Sequence, residues 1–189
     1  MSYLMKHHFE KHGALFDVYC KSGAIAVETC ARAIAEAFLA GGKLYLCGSG
    51  LSSFTADYTA ALFMQHAERP ALPAVALHSS ICYMGENDPN EIYEKQIAAL
   101  SSSSDVVWGM VSTPSCERIL RALRAASVNK VVTISMTGAD CMILKGVSDI
   151  FIPVESSDPL RVREIHTIIV HAVAALVSEL IFNPSEQSL

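Results

Sequence analysis

Short apolar segments alternate with segments of helical periodicity along most of this chain, and this alternation restricts the folds that it can adopt. Five segments have the length and apolar character of buried strands: 43–47, 73–78, 105–111, 130–136 and 149–154. Apolar strands separated by helices are typical of a parallel sheet that is covered on both faces. The sequence therefore predicts a doubly wound α/β fold with a five-stranded parallel sheet.

Helical periodicity fills the intervals between these strands and extends to both ends of the chain. Apolar residues recur at helical spacing through the first forty residues, until Gly41 and Gly42 end the pattern. Further helices are predicted at about 53–65, 90–100, 117–126, 140–144 and 159–182. Because the N-terminal helices precede the first strand, we expect residues 1–41 to be an extension that packs on another subunit and residues 42–189 to be the α/β domain.

Composition limits the classes of partner and compartment. Hydrophobic residues make up 51% of the chain and the net charge is −5, so a large core is expected and a nucleic-acid backbone is excluded as a partner. Residues 165–182 are the most apolar stretch, but His166, His171 and Glu179 interrupt it. Without a signal peptide or a membrane span, we expect a cytoplasmic protein. The six cysteines lack C-x-x-C spacing and are expected to be reduced thiols.

A loop rich in glycine and serine follows the first predicted strand. Residues 47–53, the first hydroxyl loop, read CGSGLSS. Glycines let the backbone approach an oxyanion, and Ser49, Ser52 and Ser53 add hydroxyl donors beside the unpaired N–H groups of the next helix. A dinucleotide-binding motif would need a third glycine where Ser53 stands, and a P-loop would need Gly-Lys-Ser/Thr. The alternative is an ordinary turn in which Ser52 or Ser53 caps the helix.

A second hydroxyl loop, residues 111–115, follows the third predicted strand. Ser112, Thr113 and Ser115 precede a helix and can donate hydrogen bonds to phosphate oxygens. The alternative is an ordinary helix cap by Ser115. Because the carboxyl ends of parallel strands lie at one edge of a sheet, we expect the two hydroxyl loops to meet there and to bind an anionic ligand together.

Five segments, taken in order, resemble the sugar isomerase (SIS) domain family. They are CGSGLS (47–52), LPAVAL (72–77), IYEKQIAAL (92–100), VSTPS (111–115) and RVREIH (161–166). The resemblance extends over nearly the whole chain and is strongest to the phosphoheptose isomerases (GmhA) and the DnaA-associating proteins (DiaA). It implies a five-stranded parallel sheet, a homotetramer and a bound phosphorylated sugar. The residues that it assigns to the phosphate are Ser49, Ser52, Ser112, Thr113 and Ser115, although Pro114 shortens or replaces the family's Gly-Asn.

The residues that phosphoheptose isomerases use for metal binding and proton transfer are replaced in this chain. The resemblance places a histidine at Asp57 or Tyr58 and a glutamate at Ala61 or Leu62. Arg163 stands where the family has a glutamine that binds the metal. A guanidinium has no lone pair to offer and repels a cation, so we expect neither a metal nor another cofactor.

Glu164 and His171 are the remaining candidates for acid–base catalysis. Aldose–ketose isomerisation needs a base to move a proton between adjacent carbons and an acid at the carbonyl oxygen. His171 matches the family's catalytic histidine and follows Glu164 by seven residues, which places both on one helix face. The alternative is that both are buried polar anchors or interface groups. His66 is a substitute for the lost histidine or, more simply, a helix-end or interface residue.

Two functions therefore compete. The favoured one is a phosphosugar-binding or regulatory protein whose isomerase residues are lost; the alternative is an active phosphosugar isomerase that uses Glu164 and His171. DiaA-like proteins end their last helix in an apolar Leu-Phe-Pro segment, and residues 180–184 (LIFNP) look similar, so a protein partner is expected to dock there. A purely structural oligomer ranks last, because it leaves both hydroxyl loops without a role.

Overall fold

Five strands form one parallel sheet in the computed structural model, which describes residues 2–65, 69–78 and 88–183. The strands are β1 (Leu44–Gly48), β2 (Ala74–Ala76), β3 (Val106–Val111), β4 (Val132–Thr137) and β5 (Ile150–Pro153). They lie in the order β2-β1-β3-β4-β5, and every neighbouring pair is parallel. The order changes direction between β1 and β3, which is where ligands enter sheets of this kind. The predicted fold class is confirmed.

Helices cover both faces of the sheet. Within the described residues these are α1 (Tyr3–Ser22), α2 (Ala24–Leu39), α3 (Ser52–Met64), α4 (Ile92–Leu100), α5 (Glu117–Val128) and α6 (Pro159–Phe182), with 3-10 turns at Pro89–Glu91 and Ala139–Val147. Apolar residues of α2, α3 and α6 form one core with the sheet, and those of α4, α5 and the second 3-10 segment form the other. Trp108, fully buried on β3, lies in the first of these cores.

The two N-terminal helices differ in how they are covered. The buried stripe of α2 packs against α6 and the sheet of its own chain. This corrects the expectation that α2 packs on another subunit. The stripe consists of Val27, Cys30, Ala31, Ile34 and Ala35. By contrast, α1 has no buried residue and leaves Tyr3, Leu4 and Phe9 largely exposed. The division into an extension (residues 1–41) and an α/β domain (residues 42–189) stays a prediction. The exposed α1 is consistent with an extension, whereas α2 packs as part of the domain.

The ends of two helices differ from the predictions. The cap position of α3 is Leu51, and it makes no side-chain cap, so the predicted cap by Ser52 or Ser53 is wrong. The cap position of α5 is Cys116 rather than Ser115. The hydroxyls of Ser52 and Ser53 are used in other hydrogen bonds, described below. Asp158 does cap α6 as its position before Pro159 suggests, because its carboxylate accepts a hydrogen bond from the Leu160 N–H.

Helix α6 is the only helix of the described residues that has the length and apolar composition of a membrane span. Its burial is that of a core helix, since one stripe of it faces the sheet. The buried residues are Arg161, Val162, Ile165, His166, Ile169, Val170, Val173 and Val177. Its first turns bring Arg163 to the second hydroxyl loop, while Arg161 and Glu164 contact α1.

Candidate functional site

The two hydroxyl loops lie side by side where β1 and β3 end. The Ser49 N–H donates to the Met110 carbonyl at 3.0 Å, and Ser49 Oγ donates to the Ser115 carbonyl at 2.9 Å. Ser52 Oγ donates to Ser112 Oγ at 3.1 Å, and both of these serines are buried. The prediction that the loops meet at one sheet edge is confirmed. Their role in binding an anion stays a prediction.

Two glycines allow the first hydroxyl loop to turn this tightly. A side chain at Gly48 would overlap the backbone of Ser52 and Ser53, and Gly50 has a φ of +56°, which favours glycine. The Gly48 carbonyl accepts a hydrogen bond from Tyr93 Oη at 2.9 Å. Burial raises the pKa of Tyr93 to about 12, so this phenol keeps its proton and holds the loop at any physiological pH.

Arg163 completes a polar group that we call the anion site, defined by Ser49, Ser52, Ser112 and Arg163. Its Nη1 donates to Ser112 Oγ at 3.0 Å. The guanidinium is half-buried, and no ion pair of the described residues includes it. Its positive charge therefore has no carboxylate partner on the described part of the chain. The sequence marked Arg163 only as the loss of a metal ligand and missed this contact.

Both helices that follow the hydroxyl loops begin at the anion site. Helix α3 starts at Ser52, and α5 starts at Glu117, just after the second hydroxyl loop. The first N–H groups of a helix lack partners within the helix and carry a partial positive charge. Two helix starts, buried hydroxyls and an unpaired guanidinium together favour an anion.

The other predicted hydroxyl ligands lie at the rim of this site. Ser53 is half-buried and its Oγ donates to the Gly50 carbonyl at 2.9 Å. Ser115 is exposed. Thr113 is half-buried, and its carbonyl accepts a hydrogen bond from the Cys141 thiol at 3.0 Å. The structure brings all six predicted hydroxyl residues to one sheet edge, and it joins Ser52 and Ser112 by a direct hydrogen bond.

His166 lies one turn after Arg163 on α6 and is fully buried. Neither of its ring nitrogens has a hydrogen-bond partner among the described residues, and the same holds for the buried Thr137 Oγ1. Burial lowers the pKa of His166 to about 3, and the charge of Arg163 adds to this shift. The nearby Thr137 backbone offsets part of this lowering of the His166 pKa, although it forms no hydrogen bond with the imidazole. His166 is therefore neutral at physiological pH.

Glu164 and His171 are not brought together. Seven residues of helix separate them by about 10 Å along the axis. The carboxylate of Glu164 lies 2.7 Å from His12 Nδ1, 2.7 Å from Arg161 Nη1 and 3.7 Å from His8 Nε2. Glu164 thus joins α6 to α1, and its predicted part in acid–base catalysis stays a prediction.

His171 instead contacts a residue at one of the replaced family positions. Its Nε2 lies 2.6 Å from Tyr58 Oη, and the two rings meet edge to face with centroids 5.6 Å apart. Asp57, the alternative match for the same family histidine, lies 3.5 Å from His78 Nε2. His66 falls outside the described residues.

The zinc that the family resemblance implies does not fit these residues. Asp57 or Tyr58 stands at the position of the histidine, and Arg163 stands at the position of the glutamine, in the expected ligand set. Residues 2–65, 69–78 and 88–183 contain no group of three His, Cys, Asp or Glu side chains placed to hold a metal. A guanidinium facing the site opposes a cation, so no step of a reaction is assigned to a metal here.

Comparison with known proteins agrees with this geometry. A family model for the SIS domain matches residues 7–138, which is more than half of the chain. The chain belongs to the SIS-domain family. A phosphoheptose isomerase of Solidesulfovibrio magneticus is 34% identical over 82% of this SIS-domain chain and 79% of that protein. The DnaA initiator-associating protein DiaA of Yersinia pestis is 30% identical over 83% of this chain and 85% of its own length.

Solved structures share the fold of this SIS-domain chain. A phosphoheptose isomerase from Francisella tularensis superposes with a TM-score of 0.88 and 25% identity, covering 95% of this chain and 100% of that one. The NanR protein of Vibrio vulnificus, complexed with ManNAc-6P, gives a TM-score of 0.71 at 13% identity, covering 95% of this chain and 64% of that one. The similarity to NanR concerns the fold alone. The resemblance to the SIS family is confirmed.

Proposed function

We propose that this SIS-domain protein binds a phosphorylated sugar at the anion site and acts as a binding or regulatory protein rather than as an isomerase. The observation that carries the proposal is the pair of hydrogen bonds that Ser112 Oγ accepts from Ser52 and Arg163. A hydroxyl has two lone pairs and one proton. Since both lone pairs are engaged, the Ser112 proton remains available for an anion.

The phosphate is the part of the ligand that this site suits. Arg163 supplies a charge-assisted donor, which contributes about 1.5–3 kcal/mol to a hydrogen bond. The helix starts of α3 and α5 add backbone N–H groups, and Ser49 lies at the edge of the same space. The sugar then extends toward Tyr58 and His171, whose polar atoms are exposed enough to meet sugar hydroxyls.

The contacts of the remaining polar groups support a loss of isomerase activity. Glu164 is paired with Arg161 and His12, so it is not available as a free base. Arg163, and either Asp57 or Tyr58, stand at positions that the family resemblance assigns to metal ligands. An active isomerase is the second candidate, and the contact between Tyr58 and His171 favours it because this contact orients an imidazole that can act as a base.

The assembly and partners belong to the same proposal. A cytoplasmic homotetramer suits α1, whose apolar residues Tyr3, Leu4 and Phe9 are exposed. A protein partner is proposed at the end of α6, where Ile181 and Phe182 are half-buried and Arg69 lies 5.2 Å from the Phe182 ring centroid. Pro184 lies outside the described residues. Nucleic acid and membrane are not proposed as partners.

Ligand-induced stabilisation tests the proposal. A ligand at ten times its Kd stabilises the folded state by about 1.4 kcal/mol, which raises the Tm by roughly 3–6 °C in a chain of this size. We expect this shift with millimolar sulfate and with a hexose 6-phosphate. The double variant Ser52→Ala/Ser112→Ala is expected to lose it. Ser103→Ala, on an exposed turn away from the site, is the matched control and is expected to keep it.

Two outcomes would contradict the proposal. One is a wild-type Tm that neither ligand moves, or a double variant that responds as the wild type does. The other is turnover: we expect no interconversion of heptose or hexose phosphates between aldose and ketose. Turnover that His171→Ala abolishes would replace the binding function with the isomerase.

A further inference from the structure

Two cysteines lie next to each other beside the second hydroxyl loop. Cys116 follows Ser115 directly and occupies the cap position of α5, while Cys141 lies in the 3-10 segment after β4. Cys116 is half-buried and packs against the apolar core that contains the buried Cys141. Both are free thiols. The 3-10 segment that carries Cys141 packs against α5, at whose start Cys116 lies, and Cys116 is near enough to raise the pKa of the Cys141 thiol.

This thiol pair, Cys116 and Cys141, is connected to the anion site through the backbone of the second hydroxyl loop. Cys141 Sγ donates to the Thr113 carbonyl at 3.0 Å. Ser49 Oγ donates to the Ser115 carbonyl, one residue before Cys116. The same short stretch of backbone is therefore held from one side by a thiol and from the other side by a serine of the anion site.

We propose that a peroxide oxidises Cys116 and Cys141 to a reversible disulfide, and that this disulfide weakens anion binding. The effect on binding rests on the function proposed above, whereas the disulfide itself does not.

The half-exposed Cys116 is the sulfur that meets the oxidant first. Its thiolate attacks one peroxide oxygen, so that the S–O bond forms, the O–O bond breaks and the leaving hydroxide takes up a proton to become water. Burial raises the pKa of Cys141 to about 12, and Cys116 adds to the shift, so Cys141 is a poor first nucleophile.

Cys141 completes the disulfide in a second step. Its sulfur attacks the sulfur of oxidised Cys116, the S–S bond forms and the S–O bond breaks. The departing hydroxide takes the proton of the Cys141 thiol and leaves as a second water. Two thiols thus lose two electrons to one peroxide, and an external dithiol reverses the reaction by exchange.

The disulfide changes the backbone that borders the anion site. Cys141 no longer carries the S–H that donates to the Thr113 carbonyl, so this acceptor loses its partner. The bond also ties the start of α5 to the 3-10 segment, one residue after the Ser115 carbonyl that accepts the hydrogen bond of Ser49. The geometry of Ser112 relative to Ser52 is then less suited to an anion.

Peptide mapping tests the disulfide. The full-length protein is treated with hydrogen peroxide, free thiols are blocked with iodoacetamide, and the digest is analysed by mass spectrometry without reduction. We expect a peptide pair linked through Cys116 and Cys141 in the wild type and in Cys20→Ser, whose thiol is exposed and distant in sequence. Cys116→Ser and Cys116→Ala should lack it. Alkylation of both thiols after peroxide treatment would overturn the proposal.

Calorimetry with sulfate tests the link to binding. We expect the oxidised wild type to bind sulfate about tenfold more weakly than the reduced form, and dithiothreitol to restore the affinity. Peroxide should leave the affinity of Cys116→Ser unchanged. Equal affinities for the reduced and the disulfide-linked wild type would overturn the link. If the reduced protein binds no sulfate, the proposed function fails and the link fails with it, while the peptide map still decides the disulfide.

Discussion

The anion site and the Tyr58–His171 contact both include residues of α3 and α6, but they hold their polar groups in opposite ways. In the anion site, Ser52 and Ser112 are buried and already hydrogen-bonded to each other, with Arg163 as a third partner. Tyr58 and His171 are exposed, and they contact each other at the surface. One region is organised before a ligand arrives, and the other is open to solvent.

This difference bears on the proposed function, in which binding and catalysis depend on different regions. Groups that are held in place by the fold lose little freedom when they bind a ligand, which favours affinity. Proton transfer needs a base whose position and environment are equally well defined. Of the two regions, only the anion site is organised in this way, and the predictions below change single residues of α6 and α3.

The largest expected effect concerns how the free energy of unfolding depends on pH, and it distinguishes the two histidines of α6. His166 is fully buried, whereas His171 is exposed. The pKa of His166 falls from 6.5 to about 3 on folding, so between these values the unfolded state binds more protons. Its stabilising effect is complete above pH 6.5 and is lost as the pH falls toward 3. From pH 7 to pH 5 we expect His166 to account for a loss of about 2 kcal/mol in unfolding free energy.

Urea denaturation of His166→Gln at the two pH values measures this loss. The variant should lose about 2 kcal/mol less than the wild type between pH 7 and pH 5, because it has no imidazole to protonate. His171→Gln is the control and should keep the wild-type dependence. An identical pH dependence in His166→Gln and in the wild type would show that the buried imidazole does not resist protonation.

Arg163→Gln tests whether the guanidinium is what makes the anion site bind. Removing a charge-assisted hydrogen bond of about 2 kcal/mol should weaken sulfate binding roughly 30-fold in calorimetry. Arg124→Gln is the matched control, because Arg124 lies exposed on α5. Unchanged affinity in Arg163→Gln would assign anion binding to the serines and helix starts alone.

The fold could be predicted from the sequence because its signals are local. Apolar strands, helical periodicity and the Asp158–Pro159 start of α6 each depend on neighbouring residues. The cap of α3 could not be predicted in this way. Ser52 looks like a local cap, but its hydroxyl is used by Ser112, which is 60 residues away in sequence. A buried long-range hydrogen bond replaced the local one.

The site was predictable where it depends on topology and unpredictable where it depends on single side chains. Parallel strands end at one edge, so the meeting of the hydroxyl loops followed from the strand pattern. The contact of Arg163 with Ser112 did not follow, because it depends on the rotation of α6 over the sheet. The contact of Glu164 with His12 did not follow for a similar reason: His12 lies 152 residues away on α1.

Tyr58→Phe gives the smallest expected effect and tests the other side of the comparison. Loss of one hydroxyl that meets the sugar should weaken binding of a hexose 6-phosphate about fivefold, corresponding to about 1 kcal/mol. Sulfate binding should stay within twofold, because sulfate occupies only the anion site. Calorimetry with both ligands on one variant therefore reports whether Tyr58 contacts the sugar or the phosphate.

The pattern across the two ligands carries more information than either affinity alone. If Tyr58→Phe weakens the binding of both ligands equally, the Tyr58–His171 pair and the anion site act as one unit. The distinction between the two regions is then wrong. If it weakens neither ligand, the hydroxyl of Tyr58 serves only to hold His171 at the 2.6 Å contact. A selective loss of sugar phosphate affinity makes Tyr58 and His171 a surface that recognises the sugar, beside a site that recognises its phosphate.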